Sequence, residues 1–304
     1  MFSSLSAMES LTDPLLTGHM NTPQQPLTLV LGATGKTGRR ITEQLSARGA
    51  NLRLGSRSGV PPFDWDDDTT WRPILEGVRS MYLVYYPDVT FPGALDRIRA
   101  LLDEARTSGV RHVVFLSGRG EEEAEAAEEA VQASGLEWTI LRCSFFAQNF
   151  SEHFLLDPVL AGELAFPAGD VAEPFVDVDD IADVAVAALT EAGHTGRLYE
   201  LTGPRTLTFA EAVAEISAAS GREVRYVPIT SEQFVSAVTD DGVPADYAHA
   251  LAELFSRVLD GRNAYVTDGV QEALGRAPRD FGEYARRAAE TGIWAGAPAE
   301  RIGA

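Results

Sequence analysis

The run Leu27-Thr-Leu-Val-Leu-Gly-Ala-Thr-Gly-Lys-Thr-Gly38 holds the residues whose types and spacing speak most directly to chemistry. An apolar pentad runs into Gly32, Gly35 and Gly38, and a helical pattern with Ile41 and Leu45 on one face follows. Gly32 permits a tight turn, Gly35 lets a pyrophosphate approach the backbone, and Gly38 lets the helix pack on the strand. The helix N-terminus offers unpaired N–H groups and a partial positive charge, which suits a phosphate. Lys36 adds a cation there, and Thr34 and Thr37 complete the candidate contacts. Gly35-Lys36-Thr37 also looks like the end of a P-loop, but that loop needs a glycine where Val30 stands. The spacing therefore predicts a dinucleotide turn.

The choice of dinucleotide is read one strand later. NAD-binding folds commonly place an acid about 20 residues beyond the turn, on the adenosine ribose. Here that place reads Gly55-Ser-Arg-Ser-Gly59, with no acid. Arg57 offers a planar fork of donors for a 2′-phosphate, and Ser56 adds a hydroxyl, so NADP(H) is the expected cofactor. Tyr85 and Tyr86 follow the third strand, and Ser117 and Gly118 the fourth, where loops line the ligand crevice of such sheets. All four are expected near the nicotinamide or its ribose.

These groups need a scaffold. Strands are predicted over 27–31, 51–55, 80–85, 112–116 and 137–142, alternating with helices over 36–47, 71–77, 92–108 and 121–134. Apolar strands alternating with helices imply a parallel sheet covered on both faces. The expected class is α/β, a doubly wound Rossmann-type sheet with a smaller, helix-rich C-terminal substrate lobe. The expected division is a disordered tail over 1–25, a nucleotide domain over 26–150 and the lobe over 151–304. Residues 174–202 are expected to return to the sheet, with a strand over 174–178 and Asp179 or Asp180 capping the helix over 181–189. Later helices are expected over 209–219, 231–239, 244–259 and 281–290.

Composition bounds the rest. A net charge of −20 argues against a nucleic-acid surface. The single cysteine, Cys143, excludes an internal disulfide and points to the cytoplasm. No segment is long and apolar enough to span a membrane. The five histidines lack ligand spacing, so no metal site is expected.

Several segments resemble the NmrA-like group of atypical short-chain dehydrogenase/reductases: the glycine turn, Gly55-Ser-Arg57, Val113-Val-Phe-Leu-Ser117, Ser134-Gly-Leu-Glu-Trp-Thr-Ile-Leu-Arg142, Phe146-Ala-Gln-Asn149, Phe175-Val-Asp-Val-Asp-Asp-Ile181 and Tyr199-Glu-Leu-Thr-Gly203. The resemblance runs from Leu27 to the end of the chain. It implies an NADPH-linked reductase of quinones or other aromatic molecules, or a relative that binds the dinucleotide without turning it over. Typical short-chain reductases carry a Tyr and, four residues later, a Lys on the helix after the fourth strand. This chain has Glu121-Glu-Glu-Ala-Glu-Ala-Ala-Glu-Glu-Ala130 there, and Glu125 falls near the position of the basic residue. Tyr85, Tyr86, Ser117, Glu125 and His153 are the candidate proton donors. Phe145, Phe146, Asn149 and His153 are candidate substrate contacts. Hydride transfer to a quinone, an NADP(H)-sensing regulator of a partner protein and an aromatic natural-product enzyme all fit this pattern, as does a homodimer.

Replacing Arg57 with Ala is expected to weaken NADPH binding by roughly tenfold or more, the worth of a charge-assisted hydrogen bond, and to leave NADH binding nearly unchanged. Titration calorimetry with both coenzymes checks it; equal losses would remove Arg57 from the 2′-phosphate.

Overall fold

A computed structural model describes residues 26–152 and 154–295; the expected tail and His153 lie outside the described residues. The chain opens with strand β1 (Leu27–Leu31), helix α1 (Lys36–Ala47), β2 (Leu52–Gly55), α2 (Trp71–Leu75), β3 (Val78–Leu83), α3 (Ala94–Thr107), β4 (His112–Gly118), α4 (Glu122–Ala133) and β5 (Glu137–Cys143). It continues through α5 (Asn149–Glu152), α6 (Leu156–Ala161), β6 (Glu163–Phe166), β7 (Ala172–Glu173), α7 (Val178–Thr190), β8 (Arg197–Leu201) and β9 (Leu207–Thr208). It closes with α8 (Phe209–Ser220), β10 (Arg225–Pro228), α9 (Ser231–Asp240), α10 (Ala245–Val258), α11 (Gly269–Leu274) and α12 (Phe281–Glu290).

Six parallel strands form the main sheet in the order β2-β1-β3-β4-β5-β8. Alternate residues of each strand point to opposite faces. Leu29, Leu31, Met81, Leu83, Val113, Phe115 and Ile140 enter one core with α3 and α4, while Val30, Tyr82, Val114 and Leu141 enter another with α1 and α7. Both faces are dry, which is why these strands read as unbroken apolar runs. The chain leaves β1 for β2 on one side and returns to β3 on the other. That reversal opens a crevice at the carboxyl ends of β1 and β3, the place where such sheets take ligands.

The expected strand over 174–178 is corrected. Ala172 and Glu173 pair antiparallel with Thr208 and Leu207, and only Val176 bridges to Phe146 beyond them. Pro174 has no N–H to give a ladder. Asp177 ends the extended segment by capping α7, its Oδ1 accepting from the Asp179 amide at 2.9 Å. The cap is therefore Asp177 rather than Asp179 or Asp180, and α7 begins three residues earlier than expected. The third strand also sits two residues earlier than expected, which leaves 84–87 free to turn over the sheet edge.

Beyond the carboxyl edge lies a third core, one of rings, with Phe150, Phe166, Phe175, Phe209, Phe255 and Phe281 meeting largely edge to face. Side chains of α1 reach it. Arg40 pairs with Glu152 and Asp179, each at 2.6 Å, and Arg39 pairs with Glu152 at 2.6 Å. Gln148 donates to Asp177 at 2.6 Å and accepts from the Val178 amide at 2.8 Å.

Gly38→Ala should destabilise the fold by about 1–3 kcal/mol, the usual result of overpacking. An added Cβ would stand 2.2 Å from the Gly32 carbonyl oxygen and 2.7 Å from its carbon, and backbone cannot swing aside. Thermal melting would report the loss; an unchanged midpoint would mean that α1 can slide.

Candidate dinucleotide and acceptor site

Gly32 turns the chain with φ +62, and its Cα faces Val84, whose Cγ1 would lie 2.7 Å from an added Cβ. The Gly35 amide donates to the Gly32 carbonyl at 2.8 Å. Gly35 is the N-cap of α1 and, with no side chain, makes no cap hydrogen bond. The first-turn amides are thus open to an outside acceptor. Thr34 and Gly35 are exposed and Thr37 is buried. Lys36 lies beside this opening. Its Nζ donates to Asn149 Oδ1 at 2.5 Å and stands 5.8 Å from the Phe146 ring centre. Burial lowers the Lys36 pKa to about 8, with Arg40 adding to the effect and Glu152 opposing it. Lys36 is the one lysine in the chain. At the end of β2, Ser56 is half-buried; its carbonyl accepts from the Gly59 and Phe63 amides at 3.1 and 2.9 Å. Arg57 is exposed at the same loop. A close-approach turn, an uncapped helix and one cation beside them fit a dinucleotide diphosphate.

The other half of the crevice lies over β3, β4 and β5. Tyr85 leans on Trp65 with ring centres 4.6 Å apart, and burial raises its hydroxyl pKa. Tyr86 is 69% exposed. Ser117 is buried and donates to Glu128 Oε1 at 2.6 Å. Glu128, only 2% exposed, also takes a fork from Arg142: Nε to Oε1 at 2.9 Å and Nη2 to Oε2 at 2.5 Å. Glu125 is exposed and stands 3.9 Å from Arg142. Phe145 packs edge to face on Phe166, Phe175 and Phe209 in the lobe core. Phe146 and Asn149 stand by Lys36 instead.

Three groups beyond the candidate site residues also collect at this edge, one of them, Arg119, within the Ser117–Gly120 segment that the sequence placed there. Arg119, 4% exposed, pairs through Nε with Glu200 at 2.6 Å and stacks 3.7 Å from the Tyr265 ring centre. The Nε–H is not aligned for a hydrogen bond to Glu200, and Nη2 is buried without a partner; Nη1 donates to the Asn263 and Tyr265 carbonyls. Glu173 is 2% exposed, and burial pushes its pKa up to about 7. Glu121 folds back from the start of α4 over Gly118, where an added Cβ would lie 2.6 Å from its Oε1. Burial, together with Asp88, Glu123 and Glu128, pushes its pKa up to about 8 against the pull of Arg257. The Gly118-x-Gly120 pair was the available signal: each glycine leaves room for a polar side chain, Glu121 at Gly118 and Asn263 at Gly120. Among the described residues no group of three or more His, Cys, Asp or Glu could hold a metal ion, and no helix is long and apolar enough to cross a membrane.

Residues 62–285 match the NmrA-like family. The chain belongs to that family. An oxidoreductase of Bacillus subtilis is 34% identical to this NmrA-like protein over 283 residues, covering 89% of this chain and 97% of its own. An NAD(P)H azoreductase of Xenophilus azovorans is 35% identical over 256 residues, covering 80% and 84%. Among solved structures, an NADPH-dependent quinone oxidoreductase of Escherichia coli, complexed with NADPH, superposes with a TM-score of 0.69 at 22% identity, covering 86% of this chain and 99% of its own. The NmrA-like protein is thus a Rossmann-type chain.

Neutralising Lys36 should expose its role. NADPH affinity of the unsubstituted protein is expected to fall as pH rises through about 8, where Lys36 loses its charge. Lys36→Met should bind more weakly at neutral pH and lose this decline. Fluorescence titration of NADPH across the range decides, and an unchanged decline in the variant would exonerate Lys36.

Proposed function

We propose that this NmrA-like protein is an NADPH-dependent reductase that delivers hydride to a quinone or another flat, conjugated acceptor. The observation that carries the reading is an aromatic ledge beside the phosphate cradle. Tyr86, 69% exposed, follows β3, the neighbour of β1 in the sheet. Phe91 and Tyr247 meet with ring centres 5.3 Å apart, and Tyr247 lies within electrostatic reach of Tyr86 and Asp88. Exposed rings of this kind suit a planar guest that stacks.

Bound NADPH supplies the hydride. The chain's own residues do the positioning: the α1 amides and Lys36 hold the diphosphate, and Arg57 and Ser56 take the 2′-phosphate. The ledge then sets the acceptor plane. The usual Tyr and Lys are missing from α4, and Ser117 spends its proton on Glu128. Without that dyad simple ketones are disfavoured, because their strongly basic alkoxides need a donor backed by a nearby cation. A quinone tolerates the absence, because its reduced oxygen is stabilised by the ring and orientation does much of the work. The azoreductase and quinone oxidoreductase relatives support acceptors of this flat, conjugated class.

NADPH oxidation followed by absorbance, across a panel of quinones, azo dyes, enones and plain ketones, tests this. Turnover is expected with the conjugated acceptors and not with the plain ketones. Tight NADPH binding with no acceptor-dependent oxidation would defeat the reading.

A further inference from the structure

We propose that Glu121 is the proton donor of this site, a carboxylic acid standing where related reductases use a tyrosine. The inference rests on the reductase reading above and deepens it.

Glu121 stands at the mouth of the crevice, directly after β4. In a sheet of this order a dinucleotide with its diphosphate at the turn after β1 and its adenosine at the end of β2 would extend its nicotinamide half towards the ends of β3 and β4. The Glu121 carboxylate lies over the Cα of Gly118, the last residue of β4, with both oxygens and the carboxyl carbon within 2.7 Å of where a Cβ would be. Any side chain at 118 would displace it. Glu121 is the N-cap residue of α4, yet its side chain makes no cap hydrogen bond and folds towards the strand. Its Oε2 is sealed from solvent without a hydrogen-bond partner, while the residue as a whole is partly exposed. A carboxylate in that position would be an unpaired buried charge; a carboxylic acid is not.

The surroundings favour the acid form. Asp88 from the loop after β3, Glu123 from α4 and Glu128 from the next turn of α4 all repel a charge on Glu121. Arg257 of α10 is the opposing cation, and it is engaged by Glu123 at 2.8 Å. Together they push the Glu121 pKa up to about 8, so the group carries its proton at neutral pH. Three of the competing donors are less well placed, and Tyr86 is 69% exposed to solvent. Ser117 donates to Glu128, Tyr85 is packed on Trp65, and Glu125 faces solvent beside Arg142.

The step balances. The acceptor gains a hydride at a carbon conjugated to its carbonyl, the hydride and its electron pair leaving the carbon–hydrogen bond of reduced nicotinamide. The carbonyl π pair moves onto oxygen, and that oxygen bonds the proton released from Glu121. The acceptor is reduced by two electrons, NADPH becomes NADP⁺, and the Glu121 carboxylate regains its proton from water.

Glu121→Gln keeps the shape and removes the proton. In the unsubstituted enzyme kcat should fall as pH rises through about 8, because the acid form is lost. The variant should show kcat lowered by about 100-fold or more, the usual worth of a general acid, with that alkaline limb gone and NADPH affinity unchanged. Two readouts need no turnover. Carbon-13 NMR of glutamate-labelled, cofactor-free protein should show one carboxyl titrating near pH 8 that Glu121→Gln removes. Thermal stability should also decline as pH rises from about 4.5 to about 8, since the native chain holds a proton that the unfolded chain has released, and the variant should lose that component. An active variant with wild-type kcat and alkaline limb, or a Glu121 signal titrating in the ordinary carboxylate range, would overturn the donor while leaving the reductase reading intact. An unsubstituted enzyme that turns over no acceptor would overturn both.

Discussion

The contact on which the rest of the molecule depends is the approach of α1 to the turn after β1. Gly38 rests against the Gly32 carbonyl with no space for a methyl group. That contact sets the direction of α1, and the helix in turn sets three things. Its uncapped first turn faces the crevice, Lys36 stands at the mouth, and Arg39 and Arg40 reach across to Glu152 and Asp179. One backbone approach thus couples the phosphate cradle to the start of the aromatic lobe.

The lobe's own attachment uses buried acids. Asp180 is fully buried at the start of α7 and meets Arg279 and Arg276, the latter at 2.7 Å. Asp177, 2% exposed, meets Arg287 and caps α7. Removing one member of such a pair leaves an uncompensated charge, which costs several kcal/mol, whereas the intact pair adds little. These bridges act more as registration pins than as sources of stability. A chain of net charge −20 can spare acids for this work, and arginine, always charged and forked, is the fitting partner.

The sheet was legible because both its faces are buried: Leu29, Val30 and Leu31 are all apolar although they point alternately to two cores. The glycine turn was legible because its logic is local, and the family resemblance followed from runs that each lie within one strand or turn. The α7 cap was misread because Asp177, Asp179 and Asp180 are chemically alike, and only the backbone geometry selects Asp177. Phe145 and Phe146 are adjacent and identical in type, yet one packs in the lobe core and the other stands near Lys36; no pattern in the chain separates them. Glu121 was hard to single out for a related reason, with only Gly118 as a signal. It lies in a run of acids, and its distinction comes from Gly118 beneath it and from Asp88 and Arg257, far away in sequence.

Lys36 has one more consequence. Every other Lys or Arg position is an arginine, so the chain carries a single ε-amine, and burial leaves more of it unprotonated near neutral pH than of an ordinary lysine. Aldehydes and activated esters therefore find one ε-amine, at the proposed coenzyme cradle, where an acyl or imine adduct would compete with the proposed ligand. Arginine everywhere else offers such reagents no second ε-amine.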